Sequence, residues 1–422
     1  MMSATTNHTK DTKRELPQGW RWVKLGEVCE VNPRRPQIKC ADEKPTSFVP
    51  MEAVDAITGT IAELRTRSYG EVKKGYTWFV ENDVLFAKIT PCMQNGKHAI
   101  VRGLIDGFGF GTTEFHVLRP KQGMIAEWIW HYLRQPTFLI DATEEFTGSV
   151  GQQRLPEDYL KSHEIPLPPL AEQQRIAGIL KEQMTAVDKA RVAAEARLEA
   201  AKALPTAYLR EVFPRPSQPL STGWKWTLLG TMLAETKNGF GRRPQPGEDG
   251  PIVLRLADVS KGVIDLSNPR RGMMSDKEIE TYGLRSGDIL FVRVNGSAEI
   301  VGRSIIVGTD YPQLVFNDHL IRVRLSDKLL PEYLRVYCDA PSARQHFMNS
   351  ASTSAGQLTI NRESLDSMPL PLPPLSEQHR VVKMLGVKFT VAEMARAAAE
   401  QELAAINALP AALLRRAFSG GL

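Results

Sequence analysis

The stretch IPLPPLAEQQRI, beginning at Ile165, returns as LPLPPLSEQHRV at Leu370, 205 positions later. At the same spacing, GQQRLPEDYLKS from Gly151 answers to GQLTINRESLDS from Gly356, and MIAEWIWHYLRQP from Met124 to LLPEYLRVYCDAP from Leu329. GWRWVKLG at Gly19 and GWKWTLLG at Gly223 form a further pair, and NDVLFAKIT at Asn82 matches GDILFVRVN at Gly287. Solenoid repeats have periods of roughly 20–50 residues, so a repeat of this length makes each copy a domain-sized unit. A chain of 422 residues has room for two.

Each copy changes character at its proline run. Before it, short β-rich runs (83–89, 115–118, 289–294, 320–325) alternate with Gly/Pro turns and one helical segment (124–133, 329–338). That pattern predicts a mixed α/β domain. After it, 171–213 and 376–418 are rich in Ala, Leu, Glu, Arg and Lys, all strong helix formers. The expected divisions are a polar tail 1–15, a first globular domain 16–165, a helical segment 166–213, a linker 214–219, a second globular domain 220–370, a second helical segment 371–418 and a tail 419–422. Pro169 and Pro374 can precede a helix but not sit inside one. Ser376 is the expected N-cap, and Glu172 and Glu377 place negative charge at the positive helix end. A proline-rich ligand for a partner domain is the weaker reading, because a helix starts at once in both copies.

Each helical segment carries one apolar stripe. The first runs through Ile176, Leu180, Met184, Val187, Leu198 and Leu204, the second through Val381, Leu385, Phe389, Leu403, Ile406 and Leu409, with alanines in mid-stripe. Steps of three and four put each stripe on one face, and the opposite faces mix charges. Pro205 and Pro410 predict a kink or a break at equivalent places. A straight segment would span about 64 Å. The natural cover for one stripe is the other, paired antiparallel about a pseudo-two-fold axis. The fold class expected is therefore α+β: two tandem mixed α/β domains, each followed by a long helix, with the helices forming a coiled-coil-like spacer. Such a spacer is a ruler for a target with two sites at fixed separation. Duplex DNA is one, with half-sites about 34–36 Å apart.

A net charge of +5 is compatible with a polyanionic partner without establishing one. The first residues, MMSATTNHTKDTKREL, lack an apolar signal core, and no apolar run reaches the ~18 residues of a membrane span. Cys29, Cys40, Cys92 and Cys338 show no CxxC spacing, so reduced thiols in a cytoplasmic protein are expected, with no metal site.

The ordered combination of LPQGWRWVKLGEV at Leu16, NDVLFAKI and GDILFVRV, the GSVGQQRLP loop at Gly148 and the doubled PLPPLxEQ before long helices resembles the specificity subunits of type I restriction–modification systems. The resemblance covers nearly the whole chain. It implies that each globular part is a target recognition domain reading one half of a bipartite, asymmetric double-stranded DNA site, with the helices setting the unread gap. It also implies partners: two methyltransferase subunits bringing S-adenosylmethionine, and two motor–nuclease subunits bringing ATP and Mg. This chain would bind no cofactor and carry no catalytic residue.

The residues agree with a non-catalytic chain. The nearest string to an amino-methyltransferase Asn/Asp-Pro-Pro-aromatic loop is NPRR at Asn32, which lacks the second Pro and the aromatic. DGFGFGTTEF at Asp106 has alternating glycines, but its counterpart YPQLVFNDHL at Tyr311 has none, so a turn is a better reading than a cofactor loop. No Walker loop and no HExxH occur. Base edges are read by Arg, Lys, Asn and Gln. The candidates are Gln152, Gln153 and Arg154 with their counterparts Gln357 and Thr359; Lys88 and its match Arg293, with Asn295 beyond; Arg242 and Arg243 in GFGRRPQPG; and Arg34–Arg35 in NPRRP. Each has a plainer alternative as a surface charge or a loop held by its own domain. A coiled-coil scaffold binding proteins through two β-rich modules is the rival class.

Overall fold

The computed structural model describes residues 15–149, 152–216, 218–242, 245, 249–259, 262–311, 313–354 and 356–422. It contains two compact units, but they are not the two halves of the chain. Unit 1 comprises residues up to Ala194 together with Glu402–Leu422; unit 2 is Glu195–Gln401. Both boundaries fall inside the long helices, Leu170–Val212 and Leu375–Phe418.

In unit 1 a four-stranded sheet runs in the order Cys29–Val31, Phe115–Pro120, Val84–Ala87, His98–Ile100, with antiparallel neighbours. The run Val84-Leu85-Phe86-Ala87 is apolar throughout because both faces of the sheet are covered. Val84 and Phe86 join Trp128, Ile129 and Leu133 of the helix Ala126–Leu133 on one face. Leu85 and Ala87 join Val49, Phe79 and Val117 on the other. A second sheet, Arg65–Ser68, Pro45–Val49, Phe108–Gly111, Thr77–Val80, completes the unit. The glycines of Phe108–Gly111 serve this sheet: a Cβ at Gly109 would meet the Ser47 carbonyl at 2.9 Å and one at Gly111 the Val49 carbonyl at 2.6 Å. The segment is a packed strand, and the turn lies just before it, at Asp106–Gly107.

Unit 2 repeats the central sheet: Leu233–Asn238, Leu320–Leu325, Ile289–Val292, Ser304–Ile306. Ile289 and Phe291 face the core with Tyr333 and Leu334, while Leu290 and Val292 face Leu254 and Phe316. The copies diverge in what covers this second face. Unit 2 has the parallel pair Ile252–Leu254 with Leu314–Phe316 where unit 1 has its second four-stranded sheet.

The doubled proline motif is a fastening. Glu164–Leu167 pairs with Arg21–Lys24, and Pro369–Leu372 with Lys225–Leu228. These are two-stranded ribbons, where proline removes no needed ladder bond. Trp128 Nε1 donates to the Pro166 carbonyl at 2.9 Å, as Tyr333 Oη does to Pro371 at 2.6 Å. The glutamine of each motif is fully buried. Gln173 Nε2 donates to the carbonyls of Gly123 (2.9 Å) and Pro168 (3.0 Å), and its Oε1 accepts from Ile125 N (3.2 Å). Gln378 does the same with Lys328 (2.9 Å), Pro373 (2.9 Å) and Leu330 (2.8 Å). Ser376 is not the N-cap: the helix begins one residue earlier, and the Pro374 carbonyl accepts from Glu377 and Gln378.

The helices pack antiparallel within each unit. In unit 1, Ile176 and Leu180 of the first helix share a core with Leu414, Ala417 and Phe418 at the end of the second, with Met184 against it. In unit 2, Leu209 and Phe213 meet Val381 and Leu385, with Phe389 against them. Lys388 Nζ pairs with Glu211 at 2.7 Å. Val187 is buried, and Leu198, Leu204, Leu403 and Ile406 are half-buried. Leu409 departs from the expected stripe: it is 44% exposed. Beyond Pro205 and Pro410 the buried positions become Leu209 and Phe213, and Leu414 and Phe418, because the helix ends meet the globular cores rather than each other. Neither proline breaks its helix in two.

Candidate nucleic-acid interface

Three pieces of chain meet at one end of the central sheet in each unit. In unit 1 the strands Cys29–Val31 and Val84–Ala87 both run antiparallel to Phe115–Pro120, so Asn32, Lys88 and Glu114 emerge at the same edge. Lys88 N donates to the Glu114 carbonyl (2.9 Å) and Leu155 N to the Lys88 carbonyl (2.9 Å). Thr147 and Arg154 exchange backbone bonds of 3.0 and 2.9 Å, and the Gln153 carbonyl accepts from Thr90 N at 3.1 Å. Gln153 and Arg154 are thereby laid against the chain that leaves the inner strand.

Unit 2 builds the same frame. Arg293 N donates to the His319 carbonyl (2.8 Å) and Ile360 N to the Arg293 carbonyl (3.0 Å). Thr359 pairs with Val294 on one side and Ser352 on the other. The Phe240 carbonyl accepts from Asp318 N (3.1 Å), and the Asp318 carbonyl from Arg293 Nη1 (3.0 Å), so the segment leading to Arg242 reaches this edge too.

The candidate side chains differ in how free they are. Gln152 and Gln357 are exposed and Gln153 is half-exposed, and no hydrogen bond of their side chains is found among the described residues. Lys88 is half-buried, and desolvation lowers its pKa against the pull of the neighbouring Glu114. Arg154 is engaged: its Nε and Nη2 grip both oxygens of Glu114 at 2.8 Å, and Nη1 donates to the Gln152 carbonyl at 3.0 Å. The Arg154 hydrogen bonds hold the Glu114 carboxyl below its usual range. Arg293 turns inward to Asp318, and Asn295 Oδ1 caps Ser297 N at 2.8 Å in a local turn. Thr359 is held in the three-stranded ribbon by its backbone. Arg242 pairs with Glu278 at 2.8 Å and stacks 5.0 Å from the Phe240 ring centre. Arg34 is exposed, and Arg35 lies 5.5 Å over Phe110, donating to the Lys73 carbonyl. Arg243 lies outside the described residues.

The polar support beneath the unit 1 loop is not apparent in the sequence. Asn32 Nδ2 donates to Glu157 at 2.7 Å, its Oδ1 accepts from Val117 N at 3.0 Å, and His116 Nε2 lies 2.9 Å from the Leu155 carbonyl. Burial pushes the His116 pKa down. These partners are up to 125 residues apart in sequence, so no spacing signals them. Among the described residues no group of three metal-ligating side chains occurs. No described helix is long and apolar enough to cross a membrane.

Comparison with known proteins agrees with this frame. Residues 17–195 and 275–389 match the family described as Type I restriction modification DNA specificity domain. The chain is 27% identical to the type I restriction enzyme EcoEI specificity subunit of Escherichia coli, over 90% of this chain and 79% of that one. It is 30% identical to the EcoKI specificity subunit of Escherichia coli strain K12, over 72% of this chain and 68% of that one. Among solved structures, a chain from work on complex assembly and conformational transition of the type I R-M system superposes with a TM-score of 0.76 at 24% identity, covering 97% of this chain and all of that one. The HsdS subunit from Thermoanaerobacter tengcongensis superposes at 0.68 and 23%, covering 98% of this chain and all of that one. Those two show a shared fold. The family match spans well over half of the sequence, and the chain belongs to the type I restriction–modification DNA specificity family, as a specificity subunit.

Proposed function

We propose that each recognition region reads one half of a bipartite, asymmetric site on double-stranded DNA, and that the paired helices fix the unread gap. The carrying observation is that both units present the same backbone frame with different side chains: Lys88, Gln152, Gln153 and Arg154 in one, Arg293, Asn295, Gln357 and Thr359 in the other. One frame bearing two side-chain sets suits two different sequences. The chain itself catalyses nothing in this reading. Two methyltransferase subunits bring S-adenosylmethionine, two motor–nuclease subunits bring ATP and Mg, and the assembly works in the cytoplasm.

The test is a map of methylated adenines made by the complex with its methyltransferase subunits. One bipartite motif is expected, and complex affinity should fall with salt at a slope of about −0.9 per phosphate neutralised. Four residues inserted into both long helices, after Ala194 and after Gln401, add about 6 Å at ~1.5 Å per residue. Both half-sites should persist while the gap grows by one or two base pairs of ~3.4 Å each. An unchanged gap with full activity contradicts the spacer, and methylation without a sequence preference contradicts the whole reading.

A further inference from the structure

Arg154 has the residue type most often found on guanine, yet its guanidinium is already committed. Glu114 takes Nε and Nη2 in a bidentate pair at 2.8 Å, and the third bond, from Nη1, goes to the carbonyl of Gln152 at 3.0 Å. A bidentate pair fixes orientation as well as position. Glu114 is itself anchored, since its carbonyl accepts from Lys88 N and it directly precedes the strand Phe115–Pro120. The Arg154 guanidinium therefore adds a side-chain tie to the sheet beside the backbone bridges of Arg154 to Ile89 and Thr147. Gln152 and Gln153 lie immediately before this tie, with side chains uncommitted among the described residues. Glutamine presents one donor and one acceptor side by side, the pattern that matches adenine N7 and N6 in the major groove. Both units hold the loop by the same backbone pairing: Arg154 bridges Ile89 and Thr147, as Thr359 pairs with Val294 and Ser352. Unit 2 lacks the added ion pair, because His319 and Thr359 stand where unit 1 has Glu114 and Arg154.

We infer that Arg154 is a positioning residue that, through Glu114, holds Gln152 and Gln153 for reading an A·T pair in the first half-site, and that it makes no base contact itself. This rests on the half-site reading proposed above and adds a division of labour within one loop. It also sets the two loops apart in one respect: backbone pairing holds both, and only the first adds a charged side-chain tie.

The experiment measures half-site discrimination by methylation mapping of the complex with its methyltransferase subunits. Arg154→Ala, Glu114→Gln, the exchange Glu114→Arg with Arg154→Glu, and Gln152→Ala with Gln153→Ala are each introduced into the full chain. Discrimination at the second half-site serves as the internal control for folding. Arg154→Ala and Glu114→Gln should each relax the first half-site by a similar factor, about ten- to a hundredfold. Combining them should cost no more than either alone. The charge exchange should restore much of the loss, and the salt slope should stay that of the natural complex. Loss in Arg154→Ala with full discrimination in Glu114→Gln would overturn the inference, because Arg154 would then contact DNA directly. So would a salt slope lowered by about one unit in Arg154→Ala, the mark of a phosphate contact. If the exchange variant does not fold, the single and combined variants decide. Intact discrimination in the Gln152→Ala, Gln153→Ala variant would remove the loop from the first half-site while leaving the bipartite reading in place. Absence of any bipartite motif in the natural complex would be the failure of that reading instead.

Discussion

The ring of Phe418 lies 4.4 Å from that of Trp128, centre to centre and tilted by 51°. The last residue of the second long helix thus completes the core of the first recognition unit. Phe213 plays the matching part in unit 2, with its ring centre 5.7 Å from Tyr333 and 5.2 Å from Tyr337. Phe418→Ala should destabilise unit 1 by about 3–5 kcal/mol. Hydrogen exchange should rise in peptides covering 120–133 and 160–180. Equal loosening of peptides 320–345 would show that the contact is not local to unit 1.

A fragment ending at Phe213 lacks Leu414, Ala417 and Phe418 and leaves Trp128, Ile176 and Leu180 uncovered. Its own Leu209 and Phe213 are the counterparts of Leu414 and Phe418. Two fragments should pair as an isologous antiparallel dimer, the Phe213 end of each covering Trp128 of the other. The mid-stripe alanines limit the buried area, so micromolar concentrations or the methyltransferase partner should be needed. Sedimentation should show the dimer, and a methylation map should show the first half-site with its inverted repeat. A strictly monomeric fragment directing methylation to the original asymmetric site is the outcome that sinks this.

Gln173→Leu removes the side chain that bonds Ile125, Gly123 and Pro168. It leaves buried backbone groups without partners, at about 1–3 kcal/mol each for those that water cannot reach. Gln378→Leu should cost a similar amount in unit 2. Urea denaturation followed by unit-specific peptides would show whether each loss stays in its own unit.

Acid should loosen unit 1 before unit 2. Burial pushes His131 down to about 3, with Arg134 adding to the effect, and His163 down to about 4 against the opposing pull of Glu164. His98 and His116 are lowered by burial as well. All four belong to unit 1, and no described histidine of unit 2 is buried. A depressed histidine pKa means that the unfolded chain binds more protons, so stability is complete above about 6.5 and falls as pH drops toward the folded values. At pH 5 His131 alone should cost about 2 kcal/mol. Protease sensitivity of the two units between pH 7 and 5 would check the order.

Much of the fold could be read from the sequence because its signals are local or repeated. The apolar run Val84–Ala87 announces a strand covered on both faces, and Ile176, Leu180, Val381 and Leu385 announce faces that must be buried. The positions of Lys88 and Arg293 could be read for a similar reason: each directly follows such a strand. What the sequence hid depends on pairs distant along the chain. The pairing of Arg154 with Glu114, 40 residues away, has no signal in the spacing. Leu409 reads as stripe because helical periodicity cannot tell where one partner gives way to another. The motif glutamines Gln173 and Gln378 carry no periodic signal at all, and their role appears only with the loops they bind.

The crossed helix ends also govern the order of events during synthesis. Domains generally fold from the N-terminus as they leave the ribosome. The first unit cannot finish that way, because Leu414, Ala417 and Phe418, which close its core, are translated only after the whole of unit 2. Until then Trp128 and Leu180 lack their cover, and a chain truncated before Leu414 carries an open first core. A reader encoded ahead of unit 2 is therefore sealed only by residues encoded after it. A prematurely ended product would present apolar surface to chaperones and proteases instead of a stable recognition unit.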